Sequence, residues 1–485
     1  MSPRVRRRTK IVATLGPASD SAPGIGAVLH AGADVVRLNL SHGTVDEHLR
    51  LLERVRSVAS DLDHPVAVLA DLPGPKIRAG AFPDAGVDLH PGDGLRLVPG
   101  RGLSTVDAIA VDYPQVLDDV EVGDRVALGD GGITLRVTGA EPGCALAEVE
   151  SGGRVQGRPG VHLPSERMQM HAPTEADLAL AEAVAAAGVD FVGLSFVRAV
   201  GDVDELRAVI GDRARIVAKI ETAAALDDLA AIAERADALM VARGDLGIDV
   251  SLADVPHLQK RIVRHCIAVG VPVITATQML ESMIDAPVPT RAEVSDVANA
   301  VFDGSDALML SGETAIGRHP AGVVATMAGI AVRAEAEGGY QPRADGPGQQ
   351  RAVPADSAGI DGTERITAAV THAAWQAAID AGATAILCCT RTGRTARAMA
   401  RFRPAARLIG LSPDPRTVTA LALSWGVEPV QVDEYRSSDD MVWSAVETAL
   451  DHGLVEHGDV VLVLAGAPDR RSGAATDILR IVPIS

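Results

Sequence analysis

From Thr9 to about Glu335, the hydrophobic residues fall into short, almost continuous runs separated by alanine-rich stretches of helical pattern. The runs, in chain order, are KIVATLG, DVVRLNL, PVAVLADL, VDFVGLSF, RIVAKIE, ADALMVA, VPVITAT and DALMLSG. Parallel strands that are covered by helices on both faces have this composition, whereas half-exposed strands alternate. Eight strand–helix units predict an α/β fold, a (β/α)₈ barrel with its active site at the carboxyl ends of the strands.

Polar side chains follow almost every one of these runs. In chain order they are Arg37, Asn39, Ser41, His42, Asp71, Lys76, Arg78, Ser195, Arg198, Lys219, Glu221, Arg243, Asp245, Thr277, Gln278, Ser311 and Glu313. Because the carboxyl ends of the strands share one rim of a barrel, we expect these side chains to converge on a single site.

The strings RIVAKIET and ALMVARGDLG carry the strongest chemical signal in this set. Each begins as a buried strand and ends in charge, with Lys219 and Glu221 in the first and Asp245 in the second. Buried charges are costly unless they pair or bind something. The simplest explanation is a divalent metal between Glu221 and Asp245, with an anionic substrate at Lys219. One string alone is also compatible with a structural ion pair, but both together favour a metal and phosphate site.

The connection after the third run is far longer than the others. More than a hundred residues separate Asp71 from Val189, whereas loops in such units usually have about 2–6 residues. Within it, VDLHPGDGLRLV, VGDRVALGDGGITLRVTG and CALAEVESGGRV are short, partly alternating and punctuated by Gly and Pro. This pattern predicts a small all-β insert. Its place at the catalytic rim suggests a lid, and a passive structural insert is the alternative.

A second α/β unit follows a segment rich in Gly, Pro, Asp and Gln, which is typical of a linker. Helical ITAAVTHAAWQAAIDAG, strand ATAILCCT, helical TARAMARFR and strands ARLIGLS and DVVLVLAG indicate an open α/β domain. The predicted domains are therefore the barrel (1–73 and 171–337), the inserted β lid (74–170), a linker (338–361) and a C-terminal α/β domain (362–485).

Composition narrows the class of protein further. The 485 residues, 47% of them hydrophobic, suffice for about three packed domains. The net charge of −19 argues against a general nucleic-acid surface. A phosphate site in so acidic a chain must be built from a local group of Lys and Arg.

Cysteine usage and the amino-terminal segment bear on the compartment. Cys144, Cys266, Cys388 and Cys389 have neither metal-ligand spacing nor the arrangement of a disulfide framework. The basic start MSPRVRRRTK lacks the apolar stretch of a signal peptide. No run approaches the ~18–20 apolar residues of a membrane span. We expect a cytoplasmic protein with no membrane or nucleic-acid partner.

Several long strings, in the same order, resemble the signature segments of the pyruvate kinase family. They are TKIVATLGPAS, VVRLNLSHG, ADLPGPKIR, VAKIET, MVARGDLG and the stretch 272–315. The resemblance implies a (β/α)₈ barrel, a small β-barrel lid inserted after the third strand, a C-terminal regulatory domain and a homotetramer. It implies the glycolytic transfer of a phosphoryl group from phosphoenolpyruvate to ADP, giving pyruvate and ATP.

Two other functional classes remain as alternatives. A metal-dependent aldolase or lyase could use the same barrel to stabilise an enolate, although the matched strings and the inserted lid speak against it. A catalytically silent paralogue that binds metabolites is the other, although Lys219, Glu221, Asp245 and Arg37 are intact.

The resemblance also assigns roles at the predicted rim. Glu221 and Asp245 look like the ligands of Mg²⁺ (or Mn²⁺), which keeps several waters and needs few protein oxygens. Lys219 resembles the lysine that bridges the phosphoryl group in transit, and Arg37 the arginine that binds the same phosphate. The resemblance adds Gly244, Asp245 and Thr277 as substrate-binding residues. It also implies that the hydroxyls of Thr277 and Ser311 act near the enolate in a proton relay. Strand-end capping is the simpler alternative for these two hydroxyls.

Nucleotide phosphates are contacted in the family at positions that match Asn39, His42 and Arg78. The lysine that the family carries in its lid falls here at Arg158 or Pro159. If Arg158 replaces it, the charge is kept with a different geometry.

Lys76, in ADLPGPKIR, stands where many family members have Glu. Those members need K⁺, held by the counterparts of Asn39, Ser41, Asp71 and the Leu72 carbonyl. The ammonium of Lys76 can stand where the potassium charge would be, and we therefore expect independence of K⁺. A solvated lysine without this role is the alternative.

The loop in CCTRTGRTARAMA resembles the effector loop of the family. It consists of Thr390, Arg391, Thr392, Gly393, Arg394 and Thr395, with Arg470 and Arg471 able to close the site. Backbone N–H groups and hydroxyls at the start of a helix suit an anion. We expect activation by a phosphorylated metabolite, and a plain strand–helix turn is the alternative.

Overall fold

The computed structural model describes residues 6–62, 65–129, 131–164, 171–337, 362–435, 437–466 and 475–485. The first part alternates strands and helices: β1 (Lys10–Leu15), α1 (Ala22–His30), β2 (Val35–Asn39), α2 (Val45–Asp61) and β3 (Ala67–Asp71). Helix α2 begins at a capping box, in which Thr44 and Glu47 satisfy each other's backbone N–H groups. Local sequence therefore specifies where this helix starts.

The insert after β3 is built of strands, as predicted. They are β4 (Phe82–Leu89), β5 (Gly94–Pro99), β6 (Ala108–Val111), β7 (Arg125–Leu128), β8 (Ile133–Glu141), β9 (Cys144–Ser151), β10 (Gly153–Gly157) and β11 (Val161–His162), with the short helix α3 (Val116–Asp119). Six form a sheet in the order β11-β7-β8-β9-β5-β6, and β4 pairs with β10. Single bridges from Arg78 to Gly160 and from Ala79 to Val111 connect the two edges of the sheet. The small barrel of the lid is therefore closed by two bridges and not by a full strand.

The chain then returns to the first unit and completes it. The elements are α4 (Glu175–Ala186), β12 (Phe191–Leu194), α5 (Val200–Ile210), β13 (Arg215–Ile220), α6 (Ala223–Asp227), α7 (Leu229–Arg235), β14 (Ala238–Ala242), α8 (Arg243–Asp249), α9 (Val255–Val269), β15 (Val273–Ala276), a 3₁₀ turn (Glu281–Ile284), α10 (Arg291–Asp303), β16 (Ala307–Leu310), α11 (Gly312–Ala315) and α12 (Pro320–Glu337). Eight parallel strands close in the order β1-β16-β15-β14-β13-β12-β3-β2. The predicted (β/α)₈ barrel is confirmed.

Side chains alternate between the barrel interior and the surrounding helices. On β13, Val217 joins the interior cluster, whereas Ala218 and Ile220 pack against the outer helices. The strand period of two therefore places Lys219 on the interior side, at the carboxyl end. The same reasoning places Arg37 above Val35 on β2 and Asp71 above Leu69 on β3.

The C-terminal unit is an open sheet with helices on both faces. Its elements are α13 (Gly362–Asp380), β17 (Ala385–Cys389), α14 (Arg394–Ala400), β18 (Arg407–Ser412), α15 (Pro415–Leu421), β19 (Val427–Gln431), α16 (Ser438–Asp451), β20 (Val460–Gly466) and β21 (Thr476–Pro483). The strand order is β19-β18-β17-β20-β21, and only β21 runs antiparallel to its neighbour. Strands β19 and β21 were not predicted, because both are partly exposed and lack a continuous apolar run. The predicted linker 338–361 lies outside the described residues, and the domain boundaries stay predictions.

The C-terminal unit covers the amino-terminal end of the barrel. Ala420, Ala422 and Leu423 join the cluster that fills the barrel interior. The opposite end, where the strands finish, faces the lid. The fold thus leaves one rim for chemistry and uses the other for packing.

The longest described helices are α12 and α13, with 18 and 19 residues. Within the ranges that the structure describes, no helix combines the length and the apolar character needed to cross a membrane.

Candidate active site

Asp71, at the carboxyl end of β3, lies at the centre of a buried charge cluster. Its Oδ1 is 3.3 Å from Lys219 Nζ, and its Oδ2 accepts from Arg37 Nε at 2.6 Å. Arg37 Nη1 also donates to Thr14 Oγ1 at 3.2 Å. Burial alone would raise the pKa of the Asp71 carboxyl, but Lys219 and Arg37 together lower it below its usual range. Asp71 therefore stays ionised and orients two cations.

Lys219 is the most constrained of these cations. Its Nζ lies 2.9 Å from Glu221 Oε1 and donates to Ser195 Oγ at 2.7 Å. Ser195 in turn donates to the Leu72 carbonyl at 2.7 Å. Burial disfavours the charge, but Asp71 and Glu221 raise the pKa of Lys219 above its ordinary value. The result is a permanent positive charge with a fixed position.

Glu221 and Asp245 form an acidic pair beside this ammonium. Glu221 is only 2% exposed, and its Oε2 accepts from the Phe196 backbone N–H at 2.7 Å. Burial and the nearby Asp245 raise the pKa of Glu221, whereas Lys219 opposes the shift. A buried carboxylate whose charge is disfavoured by a neighbouring carboxylate fits a divalent cation placed between the two.

The donor set also fits a cation that keeps open positions. Among the described residues, no group of three or more His, Cys, Asp or Glu side chains is arranged to hold a metal. Carboxylate oxygens suit Mg²⁺, which completes its shell with water and substrate oxygens. The side chains of Arg37 and Lys219 carry two formal positive charges, and those of Asp71, Glu221 and Asp245 carry three negative ones. A divalent cation would turn this balance from −1 to +1 and so favour an anionic ligand.

Thr277, after β15, has a strained backbone. Thr277 and Gln278 have φ of 68° and 54°, and a positive φ is unusual for a β-branched residue. Thr277 Oγ1 accepts from the Gly244 N–H at 2.8 Å, and Arg243 Nη2 donates to the Thr277 carbonyl at 2.6 Å. The structure therefore joins the loops after β14 and β15, as expected for a shared site.

Glu313 joins the next two loops in the same way. It is 3% exposed, its Oε2 accepts from the Ser311 N–H at 2.6 Å, and its Oε1 accepts from the Leu280 N–H at 3.1 Å. The loop that carries Ser311 is thus held against the loop that carries Thr277.

Lys76, whose ammonium is predicted to take the place of a monovalent cation, directly contacts one of the predicted ligands of that cation. Lys76 Nζ donates to Ser41 Oγ at 2.6 Å, and Asn39 Oδ1 accepts from the Ser41 N–H at 3.3 Å. Burial and Lys219 lower the pKa of Lys76, and Asp71 opposes this. Gly74 brings the segment close, since a Cβ there would lie 2.8 Å from Ser195 Cβ. Of the predicted potassium ligands, only Ser41 is hydrogen-bonded to Lys76. Asp71 instead pairs with Lys219 and Arg37, the Leu72 carbonyl accepts from Ser195, and Asn39 accepts from the Ser41 N–H.

A cleft of about 1010 Å³ lies between this rim and the lid. Its lining residues include Lys76, Arg78, Arg125, His162, Arg198, Glu221, Gly244, Asp245 and Gln278. Arg125 and His162 were not predicted as binding residues, because nothing in the lid sequence distinguishes the strand face that turns toward the barrel. Arg198, which the sequence places after a barrel strand, also lines the cleft.

The other predicted nucleotide residues do not line this cleft. Arg158 Nη2 donates to Asp112 Oδ2 at 3.1 Å, within the lid. The His42 carbonyl accepts from His48 Nε2 at 2.7 Å, and the Asn39 side chain accepts from its own loop. Asn39, His42 and Arg158 therefore stay predictions for nucleotide binding.

The predicted effector loop is a tight turn with both buried and exposed side chains. Thr390 Oγ1 accepts from the Gly393 N–H at 3.0 Å, and Gly393 has a φ of 82°. Thr395 is hydrogen-bonded to Thr476, whereas Arg391 and Arg394 have side chains 55% and 45% exposed. Arg470 and Arg471 lie outside the described residues. The loop offers Thr392 and two arginines to a ligand, and its other hydroxyls hold the turn together.

Comparison with known proteins agrees with this architecture. Residues 6–324 match the family described as "Pyruvate kinase, barrel domain", and residues 368–482 match "Pyruvate kinase, alpha/beta domain". A protein named pyruvate kinase from Methylorubrum extorquens is 40% identical over 475 residues, which cover 98% of this chain and 97% of that protein.

Two further relatives carry the same name. The one from Geobacillus stearothermophilus is 38% identical, over 99% of this chain and 81% of the relative. The one from Clostridium acetobutylicum is 37% identical, over 98% of this chain and 99% of the relative. Both α/β units match models of this family, and the charged residues at the strand ends of the barrel lie together. The chain therefore belongs to the pyruvate kinase family of phosphotransferases.

Proposed function

We propose that this enzyme transfers the phosphoryl group of phosphoenolpyruvate to ADP in glycolysis, as a cytoplasmic homotetramer. The observation that carries the proposal is the buried Lys219 ammonium, fixed by Asp71 and Glu221 at 3.3 and 2.9 Å. Arg37 shares Asp71 with it. Phosphoryl transfer needs positioning and charge neutralisation more than covalent chemistry, and two fixed cations at one carboxylate serve both needs.

Lys219 and Arg37 would receive the phosphoryl oxygens, the first as a point charge and the second as a bidentate donor. Glu221 and Asp245 would hold Mg²⁺ or Mn²⁺, and the Gly244 backbone would lie beside the substrate. When bound, the metal would neutralise charge on the phosphoryl oxygens and on the enolate left after transfer.

The enolate must then gain a proton to become pyruvate. Thr277 and Ser311 lie on loops that Gly244 and Glu313 hold in place. Their hydroxyls could relay a proton through water to the enolate carbon. The strained backbone at Thr277 supports this role, because such strain persists where the surrounding structure maintains it for function.

The nucleotide would enter from the lid side of the cleft. Arg78 lines it, and Asn39 and His42 follow the neighbouring strand. Arg158 would have to leave Asp112 to reach a phosphate, so its assignment requires the lid to rearrange. Closure of the lid would exclude water during transfer.

Lys76 supports independence of K⁺. Its ammonium donates to Ser41, one of the residues that would otherwise ligate the ion, and Asp71 and Asp245 are among the charges that act on it. We propose that this tethered charge takes the place of the potassium charge.

The function is tested by following pyruvate formation from phosphoenolpyruvate, ADP and Mg²⁺ in a potassium-free buffer, with and without added KCl. We expect full activity in both. Activity only after KCl would keep the reaction and contradict the role of Lys76. Absence of pyruvate in both buffers, even with sugar phosphates or AMP present, would contradict the proposed function and favour a catalytically silent paralogue.

The exposed arginines of the loop 390–395 support activation by a phosphorylated metabolite. At a phosphoenolpyruvate concentration below KM, we expect sugar phosphates or AMP to raise the rate several-fold. In R394M the concentration for half-maximal activation should rise about tenfold, as for loss of one charge-assisted hydrogen bond. The basal rate should not change.

The control for R394M is R365M, which removes an exposed arginine from the neighbouring helix α13. Its activation should match the wild type. Rates that do not respond to any of these compounds in the wild-type enzyme would refute effector binding at this loop.

A further inference from the structure

Four aspartates stand at the amino-terminal end of the barrel, one immediately before every second strand. Asp34, Asp190, Asp237 and Asp306 precede β2, β12, β14 and β16. Each carboxylate accepts a hydrogen bond, of 2.6 to 3.0 Å, from a backbone N–H of the adjacent strand. The donors are Ile11 of β1, Val68 of β3, Ile216 of β13 and Val273 of β15. Each aspartate therefore aligns one pair of neighbouring strands.

Each of these carboxylates also pairs with an arginine. The pairs are Arg7–Asp34 (2.7 Å), Arg56–Asp190 (2.7 Å), Arg207–Asp237 (2.5 Å) and Arg403–Asp306 (3.0 Å). The first three arginines belong to the barrel part of the chain. Arg403 lies beyond α14, in the C-terminal unit. The barrel thus completes three of its four strand-aligning pairs by itself and takes the fourth arginine from the other unit.

The fourth pair is also the most enclosed. The side chains of Arg403 and Asp306 are 2% and 9% exposed. Arg403 Nη2 donates to the Gly304 carbonyl at 2.6 Å, and its guanidinium lies 4.7 Å from the centre of the Trp425 ring. The Trp425 backbone N–H donates to Asp306 Oδ1 at 3.2 Å. Arg403 has a φ of 50°, a conformation that a residue with a Cβ keeps only where its surroundings hold it.

Strands β15 and β16 connect this pair to the active-site rim. Asp306 joins the starts of the two strands through the Val273 N–H. Glu313 joins the loops at their other ends, through the N–H groups of Ser311 and Leu280. The strands have four residues each, so only about 13 Å of extended backbone separates the two ends.

We propose that Arg403 is a positioning residue, through which the C-terminal unit sets the placement of β15 and β16 and hence of Thr277 and Ser311. The proposal rests on the proposed function in so far as these two hydroxyls serve the reaction. Without Arg403, the Asp306 carboxylate would remain buried without its cation, and the strands that it aligns would shift to expose or neutralise it. Misplacement of reacting groups by about 1 Å can reduce turnover by up to about 10²-fold.

The test compares R403M and R403K with R407M in the full-length enzyme. Arg407 makes the same kinds of contact, to the Glu428 carboxylate at 2.8 Å and the Leu454 carbonyl at 2.5 Å, but wholly within the C-terminal unit. Turnover and KM of all variants are measured at one temperature, about 20 °C below the lowest of their unfolding midpoints. We expect kcat of R403M to fall about tenfold with KM values within about twofold, R403K to lose about threefold, and R407M to keep wild-type kcat.

Unfolding supplies a second readout that does not depend on the reaction. Trp375, Trp425 and Trp443 are the three tryptophans of the chain, and all lie in the C-terminal unit, so tryptophan fluorescence follows that unit while far-UV circular dichroism follows the whole fold. The two transitions should coincide in the wild type and in R407M and separate in R403M.

Wild-type kcat in R403M, or an equal loss of kcat in R407M, would overturn the proposal. If R403M does not fold, R403K carries the test. Lysine keeps the charge but lacks the planar fork that reaches Asp306 and Gly304 through two separate nitrogens, and an unchanged kcat would overturn the proposal. If the wild type forms no pyruvate, the proposed function fails. Coincident fluorescence and circular-dichroism transitions in R403M would still overturn the role of Arg403 in joining the two units.

Discussion

Replacing Lys219 by methionine should reduce turnover of phosphoenolpyruvate by about 10²–10³-fold. Lys219 is the buried ammonium that Asp71, Glu221 and Ser195 hold in position. A preorganised charge at the group in transit needs no rearrangement when the transition state forms, and removing one such donor typically costs about 10²–10³ in kcat. Methionine keeps an unbranched side chain, one heavy atom shorter than that of lysine, and removes the charge and its hydrogen bonds.

Metal binding separates this role from a structural one. Glu221 and Asp245 remain in K219M, so Mn²⁺, followed by electron paramagnetic resonance, should bind with an affinity within about tenfold of the wild type. K260M is the matched control, since Lys260 pairs with Asp303 on the outer helices, and it should keep normal turnover. Near-normal turnover in K219M would remove Lys219 from the mechanism, and loss of Mn²⁺ binding would indicate that the site had collapsed.

Replacing Lys76 by glutamate should make the enzyme dependent on K⁺. The substitution removes the ammonium that donates to Ser41 and adds a carboxylate close to Asp71 and Asp245, whose charges already act at this position. In potassium-free buffer we expect a loss of about 100-fold, corresponding to about 2.7 kcal/mol of transition-state stabilisation. Added KCl should raise the activity of K76E at least tenfold, because the potassium ion can occupy the position of the lost ammonium.

The specificity of the rescue is measured with KCl and tetramethylammonium chloride at equal ionic strength. Only K⁺ should restore K76E, since the larger cation cannot enter the pocket. K76M provides a second comparison, because it lacks both the ammonium and the new carboxylate and should respond less to K⁺ than K76E does. A K76E enzyme whose activity is the same with and without potassium would contradict the tethered-cation proposal.

The barrel was predictable because its signal is local. Every strand that is covered on both faces must be apolar along its whole length, and the eight runs have this property without reference to any partner. The same rule explains what was missed. Strand β19 contains Pro429 and partly exposed residues, and β21 is exposed at several positions because it forms an edge of the sheet.

The active site was predictable as a set of side chains but not as a network. Lys219, Glu221 and Asp245 stand out because charge ends an apolar run. The contact between Asp71 and Lys219 joins the third and fifth strands of the barrel, and no spacing in the chain indicates it. Likewise, Thr277 carries no mark of its positive φ, because the strain comes from the loops packed around it. For Arg158 the sequence suggested a role that the structure does not show directly. It was predicted to bind the nucleotide, but in the structure its guanidinium is bound to Asp112.

By itself, the sequence determined the eight strands, the inserted lid, the second α/β unit and the charged residues at the strand ends. These depend on hydrophobic periodicity and on the cost of burying charge, which act within a few residues. Only the tertiary structure decided which polar groups meet: Asp71 with Arg37 and Lys219, Lys76 with Ser41, and Asp306 with Arg403. Such pairs form between segments that closure of the barrel and docking of the C-terminal unit bring together, so their geometry follows from packing and not from neighbours along the chain.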